Sequence, residues 1–310
     1  MPRTWTSPAA DGTTVPLDLQ VAVGGHPLLA RLVALRGLND ASAALAHLDP
    51  ALYHPASPRE LPDMGWAVDL ILEARSTGAP VYVWGDLDAD GITATAALVE
   101  ALDRAGLPVR YGLPTRAEGH GLPERAIHEA LAAGARLLVT CDTGVGENEM
   151  VSGARALGLR VIVTDHHDVP TTPAPADALL NPKVLAPGHP LAELSGVGVA
   201  HLLVQALAEA VGPAVRPDEG LDLVALGMVA DLARLVDDAR YLVQRGIWRI
   251  RYTARPGLRA MMGLAGVDAE HADEEDIGYQ LGPRLNAAGR LTDPLLGARL
   301  LLSHDEDEAA

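Results

Sequence analysis

The sequence predicts an α/β fold, a parallel five-stranded sheet flanked by helices, with helical N-terminal and C-terminal segments. Short apolar runs at 81–84, 107–113, 137–141 and 159–163 alternate with helical patterns at 92–105, 122–133 and 146–157. Strand, helix, strand at this spacing means right-handed βαβ units and a parallel sheet covered by helices on its faces. Before and after that stretch the period changes, with apolar positions three and four apart over 26–78 and again beyond Gly196, which is the helical repeat.

The elements follow in order. Residues 1–22 have little periodicity and read as a flexible tail. PLLARLVALRGL, ASAALAHL and GWAVDLILEARSTG then make a helical lead-in segment over 23–79, with Gly or Pro punctuating its ends. The α/β core occupies 80–195; within it Pro123 suits a first helical turn and Gly134 a helix stop. A fifth short strand is expected at 178–181. Over 196–310 the chain is helical through 197–211, 220–235 and 239–252, and LLGARLLLSHDEDEAA reads as one helix running to the last residue. Gly196-Val197-Gly198 resembles part of a dinucleotide fingerprint, but no convincing strand precedes it, and a tight turn before a helix accounts for it. No repeat of solenoid length is present.

Composition narrows the class. The 310 residues are 48% hydrophobic and 21% charged, an ordinary globular balance. No window reaches membrane-spanning length, and MPRTWTSPAADGTT lacks a signal-peptide apolar core, so the expected location is the cytoplasm. The lone Cys141 excludes an internal disulfide framework and a cysteine-only zinc site. The net charge of −17, with Lys183 the only lysine, argues against broad polyelectrolyte binding to nucleic acid. Carboxylates gathered around divalent ions would contribute to that sum while being neutralised in the working protein.

The acids are placed where such a site would be. The strand at 81–84 runs into Gly85-Asp86-Leu87-Asp88-Ala89-Asp90-Gly91, that at 137–141 into Asp142-Thr143-Gly144, and that at 159–163 into Thr164-Asp165-His166-His167-Asp168. In open parallel sheets, ligands bind beyond the carboxyl ends of the strands. A single aspartate there is commonly a helix N-cap; three strand ends with a His-His pair point instead to metal. Crowded carboxylates repel unless cations neutralise them, and carboxylate mixed with imidazole suits Mn²⁺, Mg²⁺, Fe²⁺ or Zn²⁺ better than Ca²⁺. Two ions about 3.5–4 Å apart, bridged by one carboxylate, would activate water and hold a phosphoryl oxygen. Asp142, the central strand-end acid, is the expected bridge. DLDADG also resembles the start of an EF-hand loop, but its twelfth position is Ala97 where Glu is required, and a strand flanks it.

GDLDADGITATA, CDTG, TDHH, LGMVADL and GPRLNAAGR occur in that order. Over about residues 27–302 the chain resembles the DHH phosphoesterase superfamily, and within it the RecJ-type single-stranded-DNA exonucleases. The resemblance implies that Asp88, Asp90, Asp142, His166 and Asp231 ligate two Mn²⁺ or Mg²⁺ ions. It implies that Asp86 and Asp165 orient ligands from behind, and that His167 contacts the scissile phosphate. Arg116, Asn286 and Arg290 match positions resembling phosphate and DNA-backbone contacts. Asp142, His166 and His167 would be the catalytic residues.

Family members usually carry an aromatic residue between the first two acids and often a His before the glycine, where this chain has Leu87 and Trp84. Their fourth motif usually continues with apolar residues and a proline, whereas here Asp231 is followed by Leu232-Ala233-Arg234-Leu235. A DHH-associated domain and an oligonucleotide-binding barrel usually follow in the family; neither is expected in this chain, whose end reads as a truncated linker helix. The resemblance implies a metal-dependent hydrolase that removes mononucleotides from the 5′ end of single-stranded DNA in repair and recombination. A single-strand-binding protein or helicase is its expected partner, and no membrane. The alternatives are a DHH enzyme of nanoRNase type acting on short oligonucleotides, and a non-catalytic scaffold derived from a nuclease.

Overall fold

The computed structural model describes residues 14–291 and 293–309. The chain divides into two compact units, residues 1–55 and 56–310. Of the expected tail, residues 1–13 lie outside the described residues, while Leu17–Ala22 form helix α1. The helix is too short to announce itself by period, and it is anchored by Leu19, fully buried in a small core with Ala30, Val33 and Ala44. The rest of the first unit is α2 (Pro27–Leu35) and α3 (Ala41–Leu48). Asp40 caps α3 by accepting a 2.8 Å hydrogen bond from Ala43 N.

The first α-helix of the second unit is α4 (Met64–Thr77), closed by Gly78 at φ 68°, a left-handed C-terminal position that glycine takes at no steric cost. Met64, Ala67, Val68 and Ile71 of α4 enter the same core as Val81, Val83, Leu137 and Val139 of the sheet. The lead-in segment expected over 23–79 is therefore divided after Pro55, because the buried face of α4 belongs to the sheet.

The five strands are β1 (Val81–Trp84), β2 (Val109–Gly112), β3 (Leu137–Cys141), β4 (Arg160–Thr164) and β5 (Ala178–Leu180). They form one parallel sheet in the order β2-β1-β3-β4-β5. Alternate residues leave opposite faces. Val81, Val83, Leu137, Val139, Cys141 and Ile162 point into one layer, and Tyr82, Trp84, Leu138, Val161 and Val163 into the other. The second layer is covered by α6 (Glu124–Ala132) and α7 (Asn148–Ala156). The first is covered by α4, α5 (Ala89–Arg104) and α8 (Gly196–Val211), with α9 (Leu221–Ala230) and α10 (Asp237–Arg251) beyond. Strand order reverses between β1 and β3, so the crevice expected for a ligand opens beyond their carboxyl ends.

The remaining helices are α11 (Pro256–Ala265), the single turn α12 (Glu274–Asp276), a π-helical turn (Ile277–Leu281), α13 (Gly282–Leu291), α14 (Leu295–Leu302) and α15 (Glu306–Ala309). Two expected helices end early. The one read over 220–235 stops at Ala230; Asp231 is its C-cap and Leu232 turns left-handed at φ 59°. The expected terminal helix breaks at Ser303, extended at ψ 136°, whose hydroxyl accepts from Asp305 N at 3.2 Å and starts a second turn. Among the described residues no helix is long and apolar enough to cross a membrane.

Candidate metal centre

Each acid reaches the centre for a local reason. The loop after β1 must fold back on itself at once: a Cβ on Gly91 would lie 2.5 Å from Asp86 N. That close approach lets Asp86 end the strand while Asp88 caps α5, its Oδ1 accepting from Asp90 N and Gly91 N at 3.1 Å. Asp90 then stands in the first turn of α5. It is clasped from across the fold by the start of α8, accepting from Ser195 Oγ at 2.9 Å, Gly196 N at 2.6 Å and Val197 N at 3.1 Å.

Asp142 follows β3 at φ 60°, a strained conformation that aspartate tolerates better than most side chains and that recurs at functional sites. Its carboxylate leaves no room for a side chain opposite, since a Cβ on Gly196 would lie 2.5 Å from its Oδ1. Gly196, read from sequence as a turn residue, therefore makes space for Asp142 and donates to Asp90.

Asp165, after β4, is spent on its neighbours. Its Oδ1 accepts from His166 N at 2.7 Å and His167 N at 3.1 Å and pairs with His167 Nδ1 at 2.7 Å, and its Oδ2 accepts from Val145 N at 2.8 Å. His166 turns inward. Its Nε2 lies 3.1 Å from Asp142 Oδ1, 3.9 Å from Asp90 Oδ2 and 3.9 Å from Asp231 Oδ2. The approach to Asp142 is not aligned as a hydrogen bond, so Asp142 Oδ1 is buried without a partner.

Charge follows this arrangement. Burial, then the neighbouring charges of Asp90, Asp88, Asp86 and Asp165, push the Asp142 carboxyl well above the usual range. Burial and Asp88 raise Asp90 to about 7 against its three hydrogen bonds. Burial and Asp90 raise Asp231 to about 6. Asp86 is also raised by burial, partly offset by hydrogen bonds from His120 and Leu87 N. Asp165 goes the other way: burial would raise it, but the bonds from His167 and the backbone outweigh burial and hold it low. Burial lowers His166, keeping its ring neutral, whereas the hydrogen bond to Asp165 lifts His167 to about 9 and keeps it cationic.

The donor set fits divalent cations. Asp142, His166 and His167 offer ligand atoms within 4.8 Å of one another, as do Asp90, His166 and Asp231. An unpartnered buried carboxylate oxygen about 3 Å from an imidazole nitrogen is the spacing of adjacent ligands on an octahedral ion with bonds of about 2.1 Å. Asp90, Asp142 and Asp231 thus meet at His166, while Asp88 is near enough for its charge to raise all three carboxyls and groups more closely with Asp86 and His120.

The expected phosphate-binding residues are placed differently. Arg116 is exposed on the loop between β2 and α6, and Arg290 is exposed in the last turn of α13. That turn closes on the first loop, since a Cβ on Gly289 would lie 3.0 Å from Leu87 O. Asn286 is engaged internally, its side-chain oxygen accepting from Ala89 N at 2.8 Å, so it serves as a second cap on α5. Sequence reasoning missed Ser195 and Gly196, and also His120, whose Nδ1 lies 2.6 Å from Asp86 Oδ2. Only the glycines of SGVG hinted at the first pair, and EGHGL carries no signal of its own.

Comparison with known proteins agrees with this picture. Residues 80–228 match the DHH family, N-terminal domain. The chain is 38% identical over 284 residues to the single-stranded-DNA-specific exonuclease RecJ of Bacillus subtilis, covering 91% of this chain and 36% of that protein. It is 40% identical over 296 residues to the Escherichia coli protein of the same name, covering 91% and 51%. The crystal structure of RecJ in complex with Mn²⁺ from Thermus thermophilus superimposes with a TM-score of 0.80 at 32% identity, covering 94% of this chain and 41% of that one. The chain thus spans between about a third and a half of the length of these curated relatives. With three of the five motifs at strand ends on one sheet edge, a fourth brought to His166 from the end of α9, and these matches along nine-tenths of its length, the chain belongs to the DHH family, among its RecJ-type members.

Proposed function

We propose that this chain is a metal-dependent phosphodiesterase that hydrolyses single-stranded DNA from its 5′ end to mononucleotides, in DNA repair and recombination. The observation that carries the reading is the convergence on His166 Nε2 of three carboxylates from separate elements, Asp142 at 3.1 Å and Asp90 and Asp231 at 3.9 Å. Proteins named as single-stranded-DNA-specific exonucleases over the matched region, one of them solved with Mn²⁺, support the substrate and the metal.

In this reading Asp88, Asp90, Asp142, His166 and Asp231 would hold two Mn²⁺ or Mg²⁺ ions, with Asp142 as the ligand common to both. Bound there, two divalent ions supply an activated water and neutralise charge on the phosphoryl group. The chain supplies the rest. Burial keeps His166 neutral, so its lone pair is available to a cation. His167, held cationic by Asp165, donates to a phosphoryl oxygen as negative charge grows on it. Asp86 and Asp165 orient the imidazoles, and Arg116 and Arg290 grip the phosphate backbone with their forked guanidinium groups. The setting is cytoplasmic, with a single-strand-binding protein or helicase presenting the strand.

The test is release of mononucleotide from a 5′-phosphorylated single-stranded oligomer with Mn²⁺, beside a dinucleotide and an Asp142→Ala control. Cleavage of the oligomer, lost in the control, is expected. Cleavage of the dinucleotide alone would transfer the protein to short oligonucleotides, and metal binding without any cleavage would make it a scaffold.

A further inference from the structure

His120 lies outside every motif that marks the centre, yet the fold delivers it there. Its loop between β2 and α6 is braced on three sides. Trp84 Nε1 donates to Gly121 O at 3.0 Å. Arg125 donates to Leu113 O at 3.0 Å and to Glu118 at 2.7 and 2.8 Å. Glu118 in turn accepts from Thr115 N at 2.7 Å. So held, His120 places Nδ1 2.6 Å from Asp86 Oδ2, and Asp86, Asp88 and His120 each offer a ligand atom within 4.8 Å of the others.

The free atoms of this trio are complementary to a cation. Asp88 Oδ1 caps α5, and among the described residues no hydrogen bond reaches its Oδ2. With Nδ1 paired to the buried Asp86 at 2.6 Å, Nε2 is the ring nitrogen left outside that pair, and the side chain is 68% exposed. A metal-bound histidine characteristically donates its other ring N–H to a carboxylate, which fixes tautomer and orientation. The Asp86–His120 pair has that form.

We propose that His120 is a metal ligand through Nε2, completing with Asp88 the coordination of the ion on the β1 side of the centre. The inference rests on the metal-binding reading above and adds a second imidazole to the one supplied by His166. It carries a consequence for metal choice: a nitrogen donor favours Mn²⁺ or Co²⁺ over Mg²⁺, which prefers oxygen. His120 would thus tune which cation the β1 side retains.

The experiment is Mn²⁺ and Mg²⁺ titration of the full chain and of His120→Ala by calorimetry, with pulsed paramagnetic resonance of bound Mn²⁺ to count coordinated ¹⁴N. In the parent chain, two imidazole nitrogens are expected. In the variant, one nitrogen signal should disappear and Mn²⁺ affinity should fall roughly 10–100-fold at one site, with Mg²⁺ affinity changed less than about threefold. An unchanged nitrogen count overturns the proposal, as does equal weakening of both ions. Unaltered metal binding with a raised KM for oligonucleotide overturns it too, making His120 a phosphate contact. Failure of the parent chain to bind Mn²⁺ would instead overturn the metal-centre reading itself.

Discussion

Helix α5 connects two buried groups of acids that solve the same electrostatic problem in opposite ways. Near its carboxyl end, Glu100 meets Asp222 of α9 around Arg255, which contacts Glu100, donates to Asp222 Oδ2 at 3.4 Å and binds Leu301 O at 2.6 Å. Thr253 Oγ1 completes Asp222 at 2.7 Å. Burial alone would lower the Arg255 guanidinium, but the two carboxylates outweigh it and hold it above its ordinary value. At the amino end, Asp88, Asp90 and Asp142 crowd together with no arginine or lysine among their described partners, and the carboxyls of Asp90 and Asp142 are driven up. A fold able to bury a guanidinium between acids at one end has left that place open at the other. The charge missing there is one to be recruited.

That contrast can be broken by experiment. The largest effect is expected at Asp142. Asp142→Ala should lower hydrolysis about a thousandfold or more, the several kcal/mol that metal-held charge supplies, and weaken binding of both ions; retained turnover would remove Asp142 from the centre. Next is Arg255→Met, which strands two buried carboxylates and should cost about 3–5 kcal/mol of stability in denaturant unfolding. Adding Glu100→Gln and Asp222→Asn to it should recover much of the loss. If Arg255→Met alone is neutral, the built-in cation is not what balances that cluster.

A pH series separates the two ends. Asp90 at about 7 and Asp231 at about 6 bind protons more tightly folded than unfolded. Their contribution is full below the unfolded carboxylate range near 4 and is lost as pH rises through about 6 and 7. The metal-free protein should therefore lose thermal stability between about pH 4 and 7. Mn²⁺ at a hundredfold excess over its Kd should add about 2.7 kcal/mol, most visibly above pH 7. Stability that is flat or rising without metal across this window would contradict the assignment. The smallest effect is Ser195→Ala. It removes one of three donors to Asp90 and should cost about 1–2 kcal/mol while shifting metal affinity at the Asp90 site; a stability loss with unaltered affinity would make Ser195 purely structural.

The strands, the sheet and the acids that end β1, β3 and β4 were legible because each is written in a short stretch: an apolar run, then Asp. Asp231 was legible only through family resemblance, since an acid at the end of an apolar helix is locally indistinguishable from a solvated one. The remainder lies in contacts between distant segments. Asp90 and Ser195 are 105 residues apart, and Ala89 and Asn286 197 apart. No local period could reveal that Asn286 caps α5 or that Gly196 yields space to Asp142. Ser303 ended a helix that the pattern LLGARLLL carried onward, because a hydroxyl turning back on Asp305 N outcompetes continuation.

The double duty of Asp88 has a consequence for motion. One of its oxygens secures the amides of Asp90 and Gly91, and the same carboxylate is proposed above as a metal ligand. A carboxylate held from outside cannot swing away from the helix start it caps. Fraying of the first turn of α5 and release of a cation therefore become the same event, and deuterium uptake at these two amides would act as an occupancy gauge inside the protein, slow when the centre is filled and fast when it is empty.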